Sequence, residues 1–369
     1  MTLGVPPGTR QSSSTSPPPD APPSCPEPGR PAARPGRRLG LAGAAGVALS
    51  LGLVTWLIGH LDWPAVGRAL ARAAPGPLVL ATVGYSGLFV LRGLRWTFLL
   101  APLTPPDRPT VGLRLATRAF LVGFMANNLL PARLGDVVRA LVLAREARVA
   151  RSATFATVLL ERIFDGVTVV GILGVALLAV ERSEGTRALE GVAALMGLVF
   201  GGALLVCVLL ATSEEVSLRW LARLLRPLPA GPTDEVLALS RRIAAGLHAL
   251  RTPGRTLMVA VLSVLVWALE VGVYTQVAAA LGLELSVLGL ALVMSVLTLG
   301  LTAPSAPGFV GVFEALVIPA LGLLGVQAEP AAAFALVLHA IHYAPGTALG
   351  LVAAVRSGYR LSELRASGR

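Results

Sequence analysis

The sequence predicts an all-α, polytopic integral-membrane helical bundle with broken or re-entrant helices. Three observations lead there. The 369 residues are 54% hydrophobic and only 14% charged, with a mean hydropathy of +0.74; a soluble domain of this size carries about a quarter charged residues. Several apolar runs reach the roughly 20 residues needed to cross a bilayer. Two of these runs are interrupted by Pro, Gly and ionisable groups, which hydrocarbon tolerates only where protein or trapped water surrounds them.

Residues 1–38 hold 11 prolines with Ser, Gly and Arg. They cannot build a core and are expected to form a disordered, Pro/Arg-rich cytoplasmic tail. The apolar region that follows starts too late and runs too far for a cleavable signal peptide. Arg30, Arg34, Arg37 and Arg38 precede a first span at about 40–60, so the positive-inside rule places the N-terminus in the cytoplasm. Residues 61–77 are expected to connect externally to a second span at about 78–100, where Arg92 and Arg95 sit in the last turns, positioned to snorkel. The unit 111–149 carries Arg114 and Arg118 at its start and Arg145, Arg148 and Arg151 at its end. Arginine at both ends argues for a re-entrant hairpin from the cytoplasm; two full spans are the alternative.

A third span is expected at about 152–180 and a fourth at about 190–211. The loop 181–190 has three Glu against two Arg, as suits the outside. Residues 212–255, with seven Arg and four acidic residues, read as a cytoplasmic amphipathic insert lying on the membrane. A fifth span follows at about 256–281. The apolar stretch 286–326 breaks at 303–314 and is either two spans or a hairpin entering from outside. The last span, about 331–355, leads to a basic cytoplasmic tail, 357–369, with Arg360, Arg365 and Arg369. The expected transmembrane domain is thus 39–356, with about six to eight spans. One broken element enters from each side, as in inverted-repeat transporters that bind substrate near the midplane.

All 31 basic residues are Arg, and the net charge is +11. Either GC-rich codon usage or phosphate recognition by forked guanidinium groups accounts for Arg in place of Lys, and topology accounts for the placement of Arg on the cytoplasmic side. The charge therefore does not imply nucleic acid. Cys25 and Cys207 supply neither a disulfide framework nor metal-ligand spacing. His339 and His342 share a helix face without a third ligand, so hydrogen-bonded packing is expected of them.

The polar groups of the breaks carry the functional expectation. Asn127 and Asn128 lead into Pro131, Arg133, Gly135, Asp136 and Arg139. Pro131 and Gly135 interrupt the helix, and Asp136 is placed to cap its restart at Val137. A helix N-terminus pointing into the membrane beside Arg133 is an anion site, with a lipid phosphate as the natural ligand. The alternative is structural: Asp136 caps, Arg139 pairs with it, and Arg133 faces bulk lipid phosphates. In the second break, Pro307, Gly308 and Gly311 permit close backbone approach, and Glu314 sits in the first turn of the restarting helix, again as part of a site or of a tight turn. Glu161 and Asp165 share a helix face with Arg162 beside them, and Arg133 or Arg139 is expected to pair with them. Glu270 has no local basic partner; protonation, pairing across helices and proton relay stay open. No P-loop, nucleophile elbow or His-Glu-x-x-His motif is present, so neither catalytic residues nor cofactors are expected.

At these residues the chain resembles the lysylphosphatidylglycerol synthase transmembrane-region family, which includes the flippase part of the bacterial multiple peptide resistance factor. Three motifs carry the resemblance, over about residues 40–356. Pro131, Arg133, Gly135, Asp136 and Arg139 fit the family's Pro-x-Arg-x-Gly-acidic-x-x-Arg, with Asp136 where Glu is common. Glu161, Arg162 and Asp165 fit Glu-Arg-x-x-Asp. Pro307, Gly308, Gly311 and Glu314 fit a late Pro-Gly-Gly-x-Gly-x-x-Glu, with Phe309 replacing the second Gly. The resemblance implies a multi-pass protein of the bacterial inner membrane that moves an anionic or aminoacylated phospholipid, or a polyprenyl-phosphate-linked lipid, between leaflets. The soluble aminoacyl-transferase domain of fused members is not expected here. Two rivals stay open: a membrane-embedded lipid-phosphate transferase or phosphatase with a divalent metal on its acidic residues, and a non-transporting partner of a soluble glycosyltransferase. A homo-oligomer is also open, since Gly201 and Gly202 offer a close-packing patch.

Overall fold

The computed structural model describes residues 36–104, 110–130, 134–181, 183–213, 240–241, 243–302 and 306–358, together with Met1, Arg219 and Arg223. Among these there is no strand, and the chain is a helical membrane bundle. The tail before Gly36, most of the expected amphipathic insert 212–255, residues 359–369, and the site residues Pro131 and Arg133 lie outside the described residues.

Among the described residues, eleven α-helices set the architecture: α1 Gly36–His60, α2 Trp63–Ala71, α3 Pro75–Leu100, α4 Leu113–Leu129, α5 Gly135–Ala147, α6 Arg151–Leu177, α7 Glu184–Thr212, α8 Pro253–Ala280, α9 Val287–Gly300, α10 Val312–Gly322 and α11 Ala328–Arg356. Helices α3, α7, α8 and α11 are long and apolar enough to cross a bilayer, and α1 with α2 forms a pair that meets the same measure across an 87° bend. The stretch 61–77, expected as a connection alone, thus contains a helix. Its bend follows from Asp62, whose carboxylate accepts from the Ala65 amide, and from Pro64 in the first turn. Helix α6 spans 27 residues, about 40 Å, but carries Glu161, Arg162 and Asp165 along its length.

Antiparallel packing organises these elements. Arg92 meets Glu270 and Arg95 meets Ser263, so α3 and α8 run in opposite directions. Each then leads into two short helices folded on one another. In the first hairpin, Gly123 of α4 faces Gly135 and Arg139 of α5, and Arg118 pairs with Glu146. A Cβ on Gly135 would overlap the Gly123 carbonyl and the Asn127 side chain, so glycine sets how closely α4 and α5 approach. In the second hairpin, Gly300 of α9 faces Leu316 of α10. Because α3 and α8 are antiparallel, the hairpins enter from opposite ends of the bundle. Their tips meet: a Cβ on Gly308 would lie 3.8 Å from the Asn128 carbonyl oxygen.

Along the chain, α1, α3, α4, α5 and α6 are followed by α7, α8, α9, α10 and α11, each run placing two short helices before its last long one. Arg92 is the eighteenth residue of α3 and Glu270 the eighteenth of α8. Arg162 is the twelfth residue of α6 and His339 the twelfth of α11. The core is correspondingly double. One cluster, centred on Tyr85, Phe89, Tyr274, Met294 and Phe334, surrounds the second hairpin. The other, centred on Trp96, Met125, Leu143 and Phe164, surrounds the first. Helix α7 exposes Val192, Leu195, Leu198, Leu205 and Leu209, the face expected of a span lying against lipid.

Candidate functional site

The tip of the second hairpin is a turn that most residues could not form. Gly308, Phe309 and Gly311 have φ of 73°, 60° and 82°, in the left-handed region that glycine enters without strain and phenylalanine does not. Two side chains hold it. Glu314 Oε2 accepts from the Gly311 amide at 2.8 Å, and Glu314 Oε1 lies 2.6 Å from His339 Nδ1. His339 Nε2 lies 2.7 Å from the Gly308 carbonyl oxygen, and its ring stacks on Phe313 at 4.4 Å. From α1, Ser50 Oγ accepts from the Ala306 amide.

The first tip is held differently. Asp136 does not cap α5, contrary to the sequence expectation. The helix starts at Gly135, its capping position is Leu134, and the Gly135 amide donates to Asn127 Oδ1 at 2.8 Å. Asn127 does the capping from the neighbouring helix, which leaves Asp136 for ion pairs. Arg162 donates to both of its oxygens, at 2.8 and 3.2 Å, and Arg139 Nε lies 3.1 Å from Oδ1. Asn128 donates to Thr347 Oγ1 of α11 at 2.9 Å.

Between the tips lies a buried ion network. Arg139 Nη1 donates to Glu161 at 2.9 Å, while its guanidinium lies over the rings of Phe120 and Trp96 at 4.9 and 5.2 Å. Arg95, fully buried, donates to Glu161 at 2.8 Å, to Asp165 at 2.5 and 3.2 Å, and to Ser263 at 3.0 Å. Trp267 Nε1 also donates to Asp165, at 2.9 Å. Arg92 lies over the Trp267 ring and donates to Glu270 at 2.9 Å; the other oxygen of Glu270 is 2.7 Å from His342 Nε2. His342 packs on Tyr85 at 4.4 Å and on Phe313 at 5.8 Å. Charged and aromatic groups therefore follow one another from Asp136 to Glu314.

Burial explains why every member is paired. A lone charge removed from water costs several kcal/mol, and a facing opposite charge offsets part of that cost, although Arg95 Nε, Arg139 Nε and Arg139 Nη2 are buried without a hydrogen-bond partner. Arg92, Arg95, Arg139 and Arg162 balance Asp136, Glu161, Asp165 and Glu270 one for one. Arg162 is the member that solvent reaches best, with its side chain 45% exposed.

Of the residues singled out from sequence, Asn127, Asn128, Gly135, Asp136, Arg139, Glu161, Arg162 and Asp165 gather around the first tip and the network. Pro307, Gly308, Gly311 and Glu314 form the second tip, and Glu270 stands between. Glu270 takes its partners across helices. Arg92 and Arg95 correct the snorkelling expectation: they point inward, because Glu161, Asp165 and Glu270 demand cations that α6 and α8 do not themselves supply in number. That shortage was the available signal. The two histidines are hydrogen-bonded, as expected, but their carboxylate partners were not foreseen.

Residues 43–350 match the model of a protein family described as the lysylphosphatidylglycerol synthase TM region. The chain is 27% identical over 310 residues to a UPF0104 membrane protein of Methanothermobacter thermautotrophicus, covering 80% of this chain and 89% of that protein. It is 30% identical over 145 residues to glycosyltransferase AglD of Haloferax volcanii, covering 39% of this chain. The match spans 22% of the length of AglD, about a fifth.

Proposed function

The chain belongs to the lysylphosphatidylglycerol synthase transmembrane-region family, and from that premise we propose that this multi-pass membrane protein is a lipid translocase of the flippase kind. One observation carries the reading. Two short helical hairpins enter from opposite ends of the bundle, their tips touch, and buried ion pairs bridged by Trp267 and Phe313 run from one tip to the other. A polar path through the bilayer is a costly structure, and its natural use is to carry a polar head group while hydrocarbon tails stay in lipid. A cavity of about 570 Å³ between α3 and α8 suits the tails. It is lined by Leu91, Leu94, Leu269 and Gly272, which flank Arg92 and Glu270 in sequence.

The substrate proposed is an anionic or aminoacylated phospholipid, or a polyprenyl-phosphate-linked lipid, in the bacterial inner membrane, with α1, α3, α6, α7, α8 and α11 as crossings and both termini cytoplasmic. Every carboxylate of the resting network is paired, so an arriving phosphate exchanges with one of them, while Arg139 Nη2 keeps an unused donor. Asp136 and Arg162 are the place for that exchange. They are the most exposed pair of the network, they stand at the positive end of α5, and a guanidinium binds phosphate in the same forked geometry in which it holds Asp136.

The rival with a divalent metal on acidic residues finds less support. Each network carboxylate already faces a guanidinium or an imidazole, and among the described residues no three His, Cys, Asp or Glu gather to hold a metal ion. The name of the partly matching relative, a glycosyltransferase, keeps a glycosyltransferase partner as the second reading.

The test is movement of fluorescent phosphatidylglycerol in proteoliposomes, with Arg139→Ala and Arg162→Ala beside the wild-type chain. Expected is transport by the wild type and at least a tenfold loss in each variant. Equal transport by all three, or by none of a panel of anionic lipids, rejects the reading.

A further inference from the structure

The second hairpin carries a feature that lipid binding does not require. His339 and His342, one turn apart on α11, each place one ring nitrogen on a backbone carbonyl and the other on a carboxylate. For His339 these are Nε2 on Gly308 and Nδ1 on Glu314, at 2.7 and 2.6 Å. For His342 they are Nδ1 on Leu338 and Nε2 on Glu270, at 2.9 and 2.7 Å. A carbonyl oxygen only accepts, so the nitrogen facing it must carry a hydrogen. The remaining nitrogen faces a carboxylate oxygen, which also accepts when ionised. A contact of 2.6 or 2.7 Å between two lone pairs is repulsive, so one further proton must lie in each His–Glu contact, as an imidazolium or as a carboxylic acid.

We infer that Glu314–His339 and Glu270–His342 are two proton-binding sites, and that proton occupancy of the first holds the second hairpin tip in its closed turn. With the proton bound, His339 joins the Gly308 carbonyl to Glu314, and Glu314 joins the Gly311 amide, so three points of a strained turn are tied by one side-chain pair. Release of one H⁺ leaves a neutral imidazole beside an ionised carboxylate. The Nδ1 lone pair then faces Oε1, the pair separates, and the turn at Gly308–Phe309 loses its tie. Neither ring is sealed in the core, with side chains 13% and 16% exposed.

The groups facing the pairs favour this assignment. Around His342 stand Tyr85 and Arg92 from α3, Glu270 and Tyr274 from α8, and Phe313 from α10. Around His339 stand Glu314 and Phe313 from α10 and Tyr343 on its own helix. Arg92 alone of these is a permanent cation, and Glu270 neutralises it, so a proton added at the two histidines meets no uncompensated like charge. Proton coupling of transport rests on the translocase reading; the proton sites themselves do not.

Two measurements separate these claims. The chain holds four histidines, so nitrogen NMR of the histidine-labelled full chain in lipid nanodiscs resolves them, with His339→Gln and His342→Gln assigning the signals. The nitrogen signals of both rings are expected to change with pH, whether the shared proton sits on the ring or on the carboxyl group, and Glu314→Gln and Glu270→Gln are each expected to alter the pH response of the facing histidine. Ring nitrogen signals that stay unchanged from about pH 5 to about pH 10, whichever glutamate is replaced, overturn the proton sites. In proteoliposomes, an imposed pH gradient is expected to change lipid movement several-fold. Lipid movement indifferent to pH and gradient overturns the coupling and leaves the translocase reading standing. Titrating histidines without movement of any lipid sink the translocase reading, and the coupling with it, and leave the proton sites standing.

Discussion

Replacing Arg95 with methionine removes the cation at the centre of the network while keeping a chain of similar bulk. Four hydrogen bonds disappear, two to Asp165 and one each to Glu161 and Ser263. Inside a membrane protein a single such bond is worth about 0.6 kcal/mol, so the bonds alone amount to roughly 2 kcal/mol. The larger part is what stays behind. Glu161 keeps Arg139, but Asp165 keeps only Trp267 and an Arg162 nitrogen at 3.9 Å. Breaking a buried pair by deleting one partner costs about 3–5 kcal/mol, and that range is the prediction. Thermal unfolding in nanodiscs reads it as a loss of about 5 °C. Arg95→Met combined with Asp165→Asn is expected to recover at least about 1 kcal/mol, because the stranded charge is gone. Arg162→Ala, on a half-exposed side chain, should cost less than about 1 kcal/mol. If Arg95→Met proves no more damaging than Arg162→Ala, the network does not bear on stability as argued.

Gly135→Ala should destabilise by at least about 2 kcal/mol, since its methyl group overlaps the Gly123 carbonyl, while Gly67→Ala, which meets open space, should change the unfolding temperature little. Exchanging the pair as Asp136→Arg with Arg162→Asp should restore part of the stability that either change alone removes, as a double-mutant cycle would register. Gly308→Ala should abolish transport in the lipid assay, because the residue sits at φ of 73° and its Cβ would lie 2.9 Å from the Tyr343 ring; wild-type rates in that variant would mean that the turn is not needed.

Much of this molecule was legible in its sequence, for reasons that differ by element. Long apolar runs of Leu, Val and Ala locate α3, α8 and α11 to within three residues and the start of α7 to within six, since a bilayer fixes the length of a crossing. The breaks were legible because Pro and Gly within an apolar run leave few alternatives. Pairing was harder to read. Glu161 and Asp165 stand out in the sequence, as does the link of Glu161 to Arg139, but Asp165 pairs with Arg95, which the sequence places at the surface. A cation near the end of a span looks alike from the sequence whether it turns outward or inward, and only the position of α6 decides. The capping of α5 by Asn127 was hidden for the same reason: the donor and the acceptor lie on different helices. The carboxylate partners of the histidines depend on how α8, α10 and α11 meet, which no local spacing encodes.

The most direct measurement joins the two hairpin tips. In a chain with Cys25→Ser and Cys207→Ser, cysteines at Leu129 and Phe309 are linked by a short cleavable maleimide reagent, and lipid movement is followed before linking, after it, and after cleavage. The account predicts that the link forms, that transport stops, and that cleavage restores it. Transport that continues with the tips tied together, or tips that no short linker can bridge, would contradict it.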